Sequence, residues 1–393
     1  MTGNSRWARL AVSVLALLMA GIIYAWSFLR EPIAALYEGV SSAQLQLNYT
    51  LTLCFFCVGG LISGFSAKKL SPKVRMIIGG LCVAAGFTIV SQLDGKSLFM
   101  LYLGYGALAG VGIGMVYNVV ISITNAWFPD KKGIASGSMM LGFGFSAMVF
   151  GNLATVLFAS SLTWRGTFLL YGLGIGACLA LIGLTVRAPR PDEVTVAAGG
   201  AAAQGTDYAT KDMVKRPSFA LLFIFCTVLG AVGSTAIGQA KSFILGIAPD
   251  ALSAAAIGAS LISVMNGAGR LIAGALIDKL GLRKTQIINN IVLIAAPAVM
   301  LAALLTHSVA IGIIGLCVSG FAFSFSPTIT AAFTLAFYGR KNFATNFPML
   351  TLTLIPASFA ATATSGLTLT ATYTLLLVVA IVGAAVNMMI KKA

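Results

Sequence analysis

Charged residues are scarce in this sequence, and acidic residues are the scarcest. Only 9% of the 393 residues are charged, whereas ordinary soluble domains contain about 25%. Ten Asp and Glu residues stand against 25 Lys and Arg residues, and His307 is the only histidine. The low charge excludes an ordinary soluble enzyme, and the lack of a nucleophile–base or metal-ligand set argues against a membrane enzyme. We therefore predict that the protein is not an enzyme and needs neither a metal nor a cofactor.

Cysteine is also sparse, and its placement does not suggest a metal site. The six cysteines, at positions 54, 57, 82, 178, 226 and 317, all fall in apolar segments. Cys54 and Cys57 form a C-x-x-C pair, but no second Cys or His pair accompanies it, as a zinc site requires. Packing within an apolar helix is the better interpretation.

Long apolar runs dominate what the sequence does contain. Hydrophobic residues make up 59% of the chain, and segments of about 20 apolar residues, long enough to cross a bilayer core, recur along it. They predict twelve membrane-spanning helices at residues 7–29, 44–67, 74–93, 98–126, 133–160, 166–186, 217–244, 252–277, 283–305, 309–337, 342–364 and 368–390. The expected fold is an all-α integral membrane protein with two pseudo-symmetric six-helix bundles, residues 1–186 and 217–393, joined by a cytoplasmic linker, 187–216.

The basic residues are distributed unequally between the two ends of these helices. If the N-terminus is cytoplasmic, twenty of the 25 fall in the inner loops and termini, and four lie on the outer side. This bias predicts that both termini are cytoplasmic, in a multi-pass protein of the inner or plasma membrane. It also accounts for the net charge of +15, so no nucleic-acid partner is expected.

Arg270 is the one basic residue predicted to lie deep inside a span, because the others fall in loops or near the ends of helices. A charge at bilayer depth costs at least about 2.5–3.5 kcal/mol and normally faces a cavity. Arg270 lies eight residues, or about 12 Å of helix, before Asp278, which places it near the middle of the membrane. None of the ten acidic residues lies inside a predicted span, so an ion pair with a buried acid is disfavoured. An anionic substrate, held by the planar guanidinium, is the expected partner.

Two matching loops indicate a duplicated transporter. Residues 64–75 join spans two and three, and residues 274–284 join spans eight and nine. The second loop resembles the signature loop of the major facilitator superfamily, which implies a role in conformational change. Its marked positions are Gly274, Asp278, Gly281, Arg283 and Lys284. The first loop departs from this pattern, with Lys68 in place of the acid and Ser71 in place of the glycine.

Three further motifs resemble those of the oxalate/formate antiporters and the related monocarboxylate transporters. They are Trp127–Gly137, Arg216–Phe219 and Asn266–Arg270. The first of them contains Asp130. The resemblance extends through all twelve spans and implies the major facilitator fold, with Asp130 among the residues that control conformation. In these carriers the arginine that matches Arg270 binds the substrate carboxylate.

Other polar and aromatic residues are candidates for the same site. Asn266 lies on the helix face of Arg270 and is suited to orient the guanidinium or the substrate, with plain helix packing as an equal alternative. Tyr117 and Asn118 lie at a similar depth in the other half, where a buried phenol or amide needs a polar partner. By resemblance, Tyr117 matches a binding-site aromatic, and the remaining candidates are Tyr24, Phe323, Phe347 and Cys54. For the two phenylalanines, contact with the core or with lipid is an equal alternative.

The number of cations at the site sets the expected substrate. The oxalate carrier places a lysine in span eleven, but the matching position here is Leu350, and Lys241 lies near the outer end of span seven. A single arginine favours a monocarboxylate such as lactate, formate or acetate, carried by alternating access. Exchange is favoured over proton symport, because no predicted span contains a carboxylate.

Two alternatives remain open at this stage. One is an exchanger of oxalate or another dicarboxylate, and the other is a transporter-like membrane receptor without flux. A lipophilic-cation exporter is disfavoured, because it would need an acidic residue inside a span. The expected partners are the small carboxylate and the lipid bilayer, and the chain is taken as a monomer.

Overall fold

Helices account for all regular secondary structure in the part of the chain that the computed structural model describes, residues 4–190, 193, 206–364 and 366–390. Twelve of these helices are long and apolar enough to cross a membrane. They are α1 (Arg6–Leu36), α2 (Ala43–Ser66), α3 (Pro72–Ser91), α4 (Phe99–Trp127), α5 (Gly133–Phe158), α6 (Thr163–Thr185), α7 (Pro217–Gly238), α8 (Leu252–Leu280), α9 (Leu282–Leu305), α10 (Val309–Tyr338), α11 (Phe343–Thr364) and α12 (Leu369–Met389). The prediction of an all-α protein with twelve spans is confirmed.

Local capping signals set where several of these helices begin. The Ser41 hydroxyl accepts the N–H of Gln44 at 3.2 Å, and the Gln44 side chain accepts the N–H of Ser41 at 2.9 Å, which forms a capping box before α2. Ser71 caps α3 by accepting a backbone N–H at 3.3 Å, with Pro72 in the first helical turn. Thr368 caps α12 in the same way. These polar signals separate the apolar runs, so the sequence locates most helices within a few residues.

Two helices depart from the straight spans that the sequence predicts. α1 passes through a 3₁₀ turn, Gly21–Ala25, and continues to Leu36, beyond the predicted end at residue 29. α7 ends at Gly238, and a separate short helix, Ala240–Ile247, replaces its predicted continuation. The helical geometry therefore changes within two segments where continuous helices were expected.

Irregular turns also interrupt α4, α5 and α11. π-helical segments occur at Tyr102–Ala109 in α4 and at Ala147–Gly151 in α5. α11 is broken between Thr351 and Leu354. Pro356 accounts for this break, because it has no N–H for the carbonyl four residues earlier and its ring crowds that position. The broken segment lies beside the cavity between the halves.

The buried apolar side chains form two clusters, one for each half of the chain. The first draws mainly on α1 to α6, and the second on α7 to α12. Ala331, Phe343 and Phe347 belong to the second half in sequence but pack into the first cluster. The halves meet along two seams, where α5 packs on α8 and α2 packs on α11. Each half therefore has its own apolar core, and helix pairs join the two.

Polar contacts identify two faces at the ends of the helices. The terminal face holds both ends of the described chain: Arg6 pairs with Asp130 at 2.9 Å, and Arg283 donates to a carbonyl at the end of α12 at 2.8 Å. The opposite face holds the other set of loops, and there Lys241 pairs with Glu31 at 2.7 Å. The loops that carry most of the basic residues lie on the terminal face.

The predicted linker, residues 187–216, falls only partly within the described chain, because 191–192 and 194–205 lie outside it. Arg187 donates two hydrogen bonds of 2.6 Å to Glu193, which lowers the pKa of that carboxyl to about 2. The described start of the linker is therefore ordered by an ion pair on the terminal face.

Candidate functional site

A small cavity lies between the two halves, near the middle of the helices. Its lining comprises Tyr24, Phe56, Tyr117, Phe143, Arg270, Phe323, Ser326, Pro327, Thr330, Phe347, Thr351, Thr353 and Leu354. Among the described residues, Arg270 is the one charged group in that lining. The cavity has a volume of about 30 Å³ for the centres of water molecules. One water needs about 10–15 Å³ by the same measure. The space suits a ligand of a few heavy atoms.

Arg270 reaches the cavity from α8 and is almost completely buried, with 1% of its surface exposed. Its Nη1 donates to the backbone carbonyl of Met140 at 3.2 Å, and its Nη2 donates to Asn266 Oδ1 at 3.2 Å. Nη2 also lies 3.5 Å from the Tyr24 hydroxyl. Its Cζ lies 5.6 Å from the ring centre of Tyr24 and 5.7 Å from that of Phe143, which permits cation–π attraction. Neutral dipoles and ring faces therefore orient the guanidinium.

The charge of Arg270 is not balanced by any carboxylate in the described part of the chain, where the ion pairs lie at the faces. Its Nε is buried and has no hydrogen-bond partner there. Buried charges are normally paired, because dipoles compensate only part of the lost hydration. A carboxylate in the cavity would supply both the negative charge and the acceptor oxygens that this guanidinium lacks.

Glycines on α5 and α8 allow Arg270 to reach the backbone of α5. A Cβ on Gly144 would lie 2.6 Å from the Cα of Gly267, and a Cβ on Gly137 would lie 3.0 Å from the backbone oxygen of Arg270. Side chains at these positions would push the two helices apart. Small residues along this seam therefore set the spacing that brings the guanidinium to the Met140 carbonyl.

Aromatic rings form one wall of the cavity. The ring centre of Tyr117 lies 5.1 Å from that of Phe56 and 5.2 Å from that of Phe143, both in edge-to-face contact. Phe347 of α11 stacks on Tyr117 at 6.1 Å, and Tyr24 meets Phe143 edge to face at 5.2 Å. Such packing holds each ring in a defined orientation. The resulting surface is apolar and suited to a short carbon chain.

Hydroxyl groups of α10 and α11 line the other wall. Thr330, Thr351 and Thr353 each donate to a carbonyl of their own helix, at 2.7, 3.2 and 2.9 Å. Because their protons are already used, these three threonines offer an anion no free donor in this conformation. Ser326 of α10 also lines the cavity. The Tyr117 hydroxyl contacts only the weak acceptor Met140 Sδ, at 3.3 Å, so its proton can be redirected to a carboxylate at little cost.

Most of the residues that the sequence singles out lie around this one cavity. The predicted residues in its lining are Arg270, Tyr24, Tyr117, Phe323 and Phe347. Phe323 fits against α7 because the residue facing it is Gly233, where a Cβ would overlap the ring. Asn266 is not in the lining, but its Oδ1 accepts a hydrogen bond from Nη2 of Arg270.

Two predicted residues lie away from the cavity lining. Asn118 donates from Nδ2 to the carbonyl of Ala344 at 3.3 Å, in a contact between α4 and α11. Successive residues of a helix point about 100° apart, so Asn118 cannot share the direction of Tyr117. Cys54 instead contacts Ser358 of α11. The structure places both at the α11 side of the first half.

The position matched to a second cation also lies outside the lining. Leu350 is fully buried in the second apolar cluster, whereas its neighbours Thr351 and Thr353 face the cavity. The break in α11 lets residues two apart face the same space, which a regular helix would not allow. None of these three positions carries a charge.

The sequence did not single out Phe56 and Phe143 of the lining, or the Met140 carbonyl that accepts from Arg270. Four other lining residues were missed as well: Ser326, Pro327, Thr330 and Leu354. The side chains belong to apolar helices, and the carbonyl is a backbone group. None has a local sequence signal that distinguishes it from core packing. An alignment of relatives would be the signal that could have found them.

Asp278 links the two halves at the terminal face. Its carboxylate oxygens accept the N–H groups of Gly133 at 3.2 Å and of Ile134 at 3.1 Å, at the start of α5. A carboxylate is favoured there, because the N-terminus of a helix carries a partial positive charge. Gly274, one turn earlier on α8, packs directly against Gly133. Two of the predicted loop residues thus lie in the α5–α8 seam.

The other predicted loop residues have separate positions on the terminal face. Gly281 ends α8 with a φ of 81°, a conformation that residues with a Cβ rarely adopt. Arg283 donates to carbonyls at the end of α12, where a cation is favourable. Asp130 accepts two hydrogen bonds from Arg6, at 2.9 and 3.1 Å, and Lys284 is exposed.

Comparison with solved structures shows which fold this arrangement belongs to. The chain superposes on the crystal structure of the nucleoside transporter NupG with a TM-score of 0.66, which covers 98% of this chain and 100% of that one. The two sequences are 13% identical, so this likeness concerns the fold alone.

Comparison of sequences shows the family. The sequence profile of the Major Facilitator Superfamily matches residues 9–354. The oxalate:formate antiporter of Oxalobacter formigenes is 31% identical over 314 residues, which are 76% of this chain and 70% of that protein. Monocarboxylate transporter 12 of Mus musculus is 26% identical over 149 residues, which are 37% of this chain and 30% of that protein. The resemblance carried by the signature loop and the three motifs is confirmed: the chain is a multi-pass membrane transporter and belongs to the Major Facilitator Superfamily.

Proposed function

We propose that this transporter carries small organic anions across the cell membrane, chiefly monocarboxylates such as lactate, formate or acetate, with Arg270 as the carboxylate-binding residue. The observation that carries the proposal is a fully buried guanidinium that has no carboxylate partner in the described part of the chain. The adjoining cavity has room for a few heavy atoms. The names of two relatives, an oxalate:formate antiporter and a monocarboxylate transporter, support this substrate class.

The residues around Arg270 have complementary roles in this proposal. A guanidinium binds a carboxylate in two places, and its unpartnered Nε–H is available as one of the two donors. The hydroxyls of Tyr24 and Tyr117 add donors, and the aromatic wall encloses the carbon end. Asn266 accepts from Nη2 and keeps the guanidinium aimed at the cavity.

A single counter-charge favours a monoanion over a dianion. The second carboxylate of a dianion would be buried against aromatic rings without a cation, which is unfavourable. Lys241 does not supply that cation, because it pairs with Glu31 on the opposite face and is not part of the cavity lining. Oxalate and other dicarboxylates are therefore the second candidates, and a substrate panel separates the two classes.

The same unpaired charge favours exchange as the mode of transport. Two halves, residues 1–186 and 217–393, rock about the cavity, with the terminal face in the cytoplasm as the basic loops indicate. An empty carrier would have to close around an uncompensated guanidinium, and a bound carboxylate removes that cost. Return of the empty carrier is then slow, and return with a second anion is fast.

Uptake by proteoliposomes tests this proposal. Labelled lactate, formate, acetate and oxalate are offered with and without internal anion or a pH gradient, and the wild type is expected to take up a monocarboxylate fastest against internal anion. Arg270→Lys keeps the charge but loses the planar fork, so uptake should fall at least about tenfold. Size-exclusion profile and thermal melting show that the variant is folded.

A second arginine in a membrane helix provides the matched control. Arg75 is also buried, with 4% exposed, but it donates to the Ser63 carbonyl at 2.8 Å and does not line the cavity. Arg75→Lys should therefore keep nearly wild-type uptake. Normal uptake by Arg270→Lys would exclude Arg270 as the carboxylate site, and binding without flux of all four acids would point to a receptor.

A further inference from the structure

A second, smaller cavity lies between Arg270 and the opposite face, where α1 meets the end of α7. Its lining includes Tyr24, Ser27, Arg30, Lys241, Ser242 and Ser263. The centres of water-sized spheres can occupy about 10 Å³ of it, which is room for about one water. Ser263 precedes Arg270 by seven residues on α8, or about 10 Å, so the two cavities follow one another along that helix.

Two basic residues line this smaller cavity, and among the described residues no acidic one does. Arg30 is only partly exposed, makes no hydrogen bond to the described chain, and has the neighbouring Glu31 as its nearby charge. Lys241 donates to Glu31 Oε1 at 2.7 Å, and its ammonium lies 5.2 Å from the ring centre of Phe28. The side chains of Lys241 and Glu31 are 32% and 54% exposed, so water reaches their ion pair.

Tyr24 separates the two cavities, because its side chain lines both of them. Its hydroxyl lies 3.5 Å from Nη2 of Arg270. It belongs to the 3₁₀ turn Gly21–Ala25, and such a segment inside a longer helix often marks a hinge. An anion that moves from the opposite face to Arg270 therefore meets Arg30 and Lys241 first and passes Tyr24 afterwards.

We infer that Arg30 and Lys241 form a docking site for the carboxylate on its way to Arg270, and that Glu31 competes with the substrate for Lys241. This inference rests on the proposed function and adds a second anion subsite to it. The docking site has two cations and therefore accepts a small carboxylate of one or two negative charges. The central cavity has one cation and favours the monoanion.

The competition follows from where the ion pair lies. Glu31 is on α1 and Lys241 is in the helix after α7, so separation of the halves at the opposite face breaks their contact. Both cations then face water, and a carboxylate binds to them. When the halves close, Glu31 returns to Lys241 and the substrate loses that partner. Arg270 is still unpaired, so closure favours movement of the anion inward.

One-sided transport kinetics test the docking site. Uptake of the acid that the wild type carries, from among lactate, formate, acetate and oxalate, is measured in vesicles of both orientations. Lys241→Gln and Arg30→Gln should each raise KM at the opposite face about fivefold and leave KM at the terminal face unchanged, and added salt should weaken the difference. Lys241→Arg keeps the charge and should keep KM.

Another lysine of the opposite face serves as the control. Lys96 is exposed on the same face, with 86% of its side chain accessible, and lies outside both cavities. Lys96→Gln removes the same charge from the same face and should leave KM unchanged. Equal increases for Lys96→Gln and Lys241→Gln would mean that surface charge in general attracts the substrate, and the docking site would be rejected.

The variant Glu31→Gln distinguishes a docking site from an ion pair that only holds the two halves together. If Lys241 only holds the halves together, Glu31→Gln and Lys241→Gln should change KM alike, and that result would overturn the inference. If Lys241 binds substrate, Glu31→Gln removes the competitor, so KM at the opposite face should stay the same or fall. An unchanged KM for Lys241→Gln would also reject the docking site, while the proposed function would stand. A wild type that carries none of the four acids would reject the proposed function and the inference with it.

Discussion

Arg270 is the residue on which the proposed substrate class depends. Its hydrogen-bonding contacts are the carbonyl of Met140, the amide of Asn266 and the hydroxyl of Tyr24, all of them neutral. Cation–π attraction contributes about 0.5–2 kcal/mol, whereas a charge at bilayer depth costs at least about 2.5–3.5 kcal/mol. None of these partners carries a negative charge, and in the proposed function a bound anion supplies one.

The number of cations in the cavity can be changed at Thr351, which lines it from the broken segment of α11. Thr351→Lys should raise uptake of labelled oxalate relative to acetate at least about fivefold, because a second cation near 4 Å contributes about 1 kcal/mol even in water. Thr185→Lys adds the same charge at an exposed position on the terminal face and should leave the ratio unchanged. An unaltered ratio in Thr351→Lys would contradict selection by counter-charge.

At the terminal face, the hydrogen bonds near the α5–α8 seam differ from those near the α2–α11 seam. Asp278 of α8 accepts N–H groups at the start of α5, so this contact joins the two halves. Just before α11, the N–H of Lys341 donates to Asp207 at 3.0 Å. Asp207 belongs to the segment before α7. The first-half loop has Lys68 where the signature places an acid. The α5–α8 seam is therefore the one in which a signature-loop carboxylate binds across the halves.

Removal of the Asp278 charge should loosen closure of the terminal face. Asp278→Asn keeps the size of the side chain but loses an interaction with the helix N-terminus of about 0.3–2 kcal/mol. Spin labels at Lys69→Cys and Arg340→Cys, with the native cysteines replaced, should then show a larger population of long distances. Asp94→Asn, exposed on the opposite face beside Lys96, should leave the distances unchanged. An identical distribution in both variants would refute this role.

Close packing along the α5–α8 seam should be sensitive to a single methyl group. A Cβ on Gly144 would meet the backbone of Gly267 at 2.6 Å, and overpacking of this kind costs about 1–3 kcal/mol. Gly144→Ala should therefore disfavour the closed seam and lower exchange at least about fivefold in proteoliposomes. Gly174→Ala is the control, because a Cβ there meets no atom within 4 Å. Equal exchange rates in the two variants would show that the seam does not close during transport.

At the scale of the whole molecule, the two halves touch at both faces, and the cavity lies between these contacts. Asp278 joins them at the terminal face. At the opposite face they are joined by the Lys241–Glu31 pair and by the hydroxyls of Thr50 and Thr362, which lie 2.8 Å apart. The Lys241–Glu31 pair is partly exposed to water, and ion pairs of this kind add little to stability. In the proposed mechanism, each set of contacts opens while the other remains closed.

The proposed orientation of the molecule rests on the distribution of its basic residues and can be tested by labelling. Lys69 lies in a loop of the terminal face, and Lys96 lies in a loop of the opposite face. A membrane-impermeant maleimide added to intact cells should modify Lys96→Cys and should modify Lys69→Cys only after the membrane is opened. The reverse pattern would place the terminal face outside and would invalidate the proposed direction of approach through the docking site.

Much of this protein is determined locally and is therefore legible in the sequence. Helix number follows from the length of apolar runs, helix starts follow from caps such as Ser41 and Ser71, and the unpaired charge of Arg270 follows from the placement of the acids. Each of these depends on a few neighbouring residues or on composition. The tertiary structure was not needed to reach the fold class or the most informative residue.

Only the tertiary structure decided which side chains share the cavity. Phe56 and Phe143 are brought to Arg270, whereas Asn118 and Cys54 are turned towards α11. The sequence could not show this, because the rotation of a helix about its own axis is set by packing against helices distant in the chain. Glycine contacts hold α5 against α8, which brings Phe143 and Arg270 to the cavity, and the break in α11 turns Thr351 and Thr353 towards it.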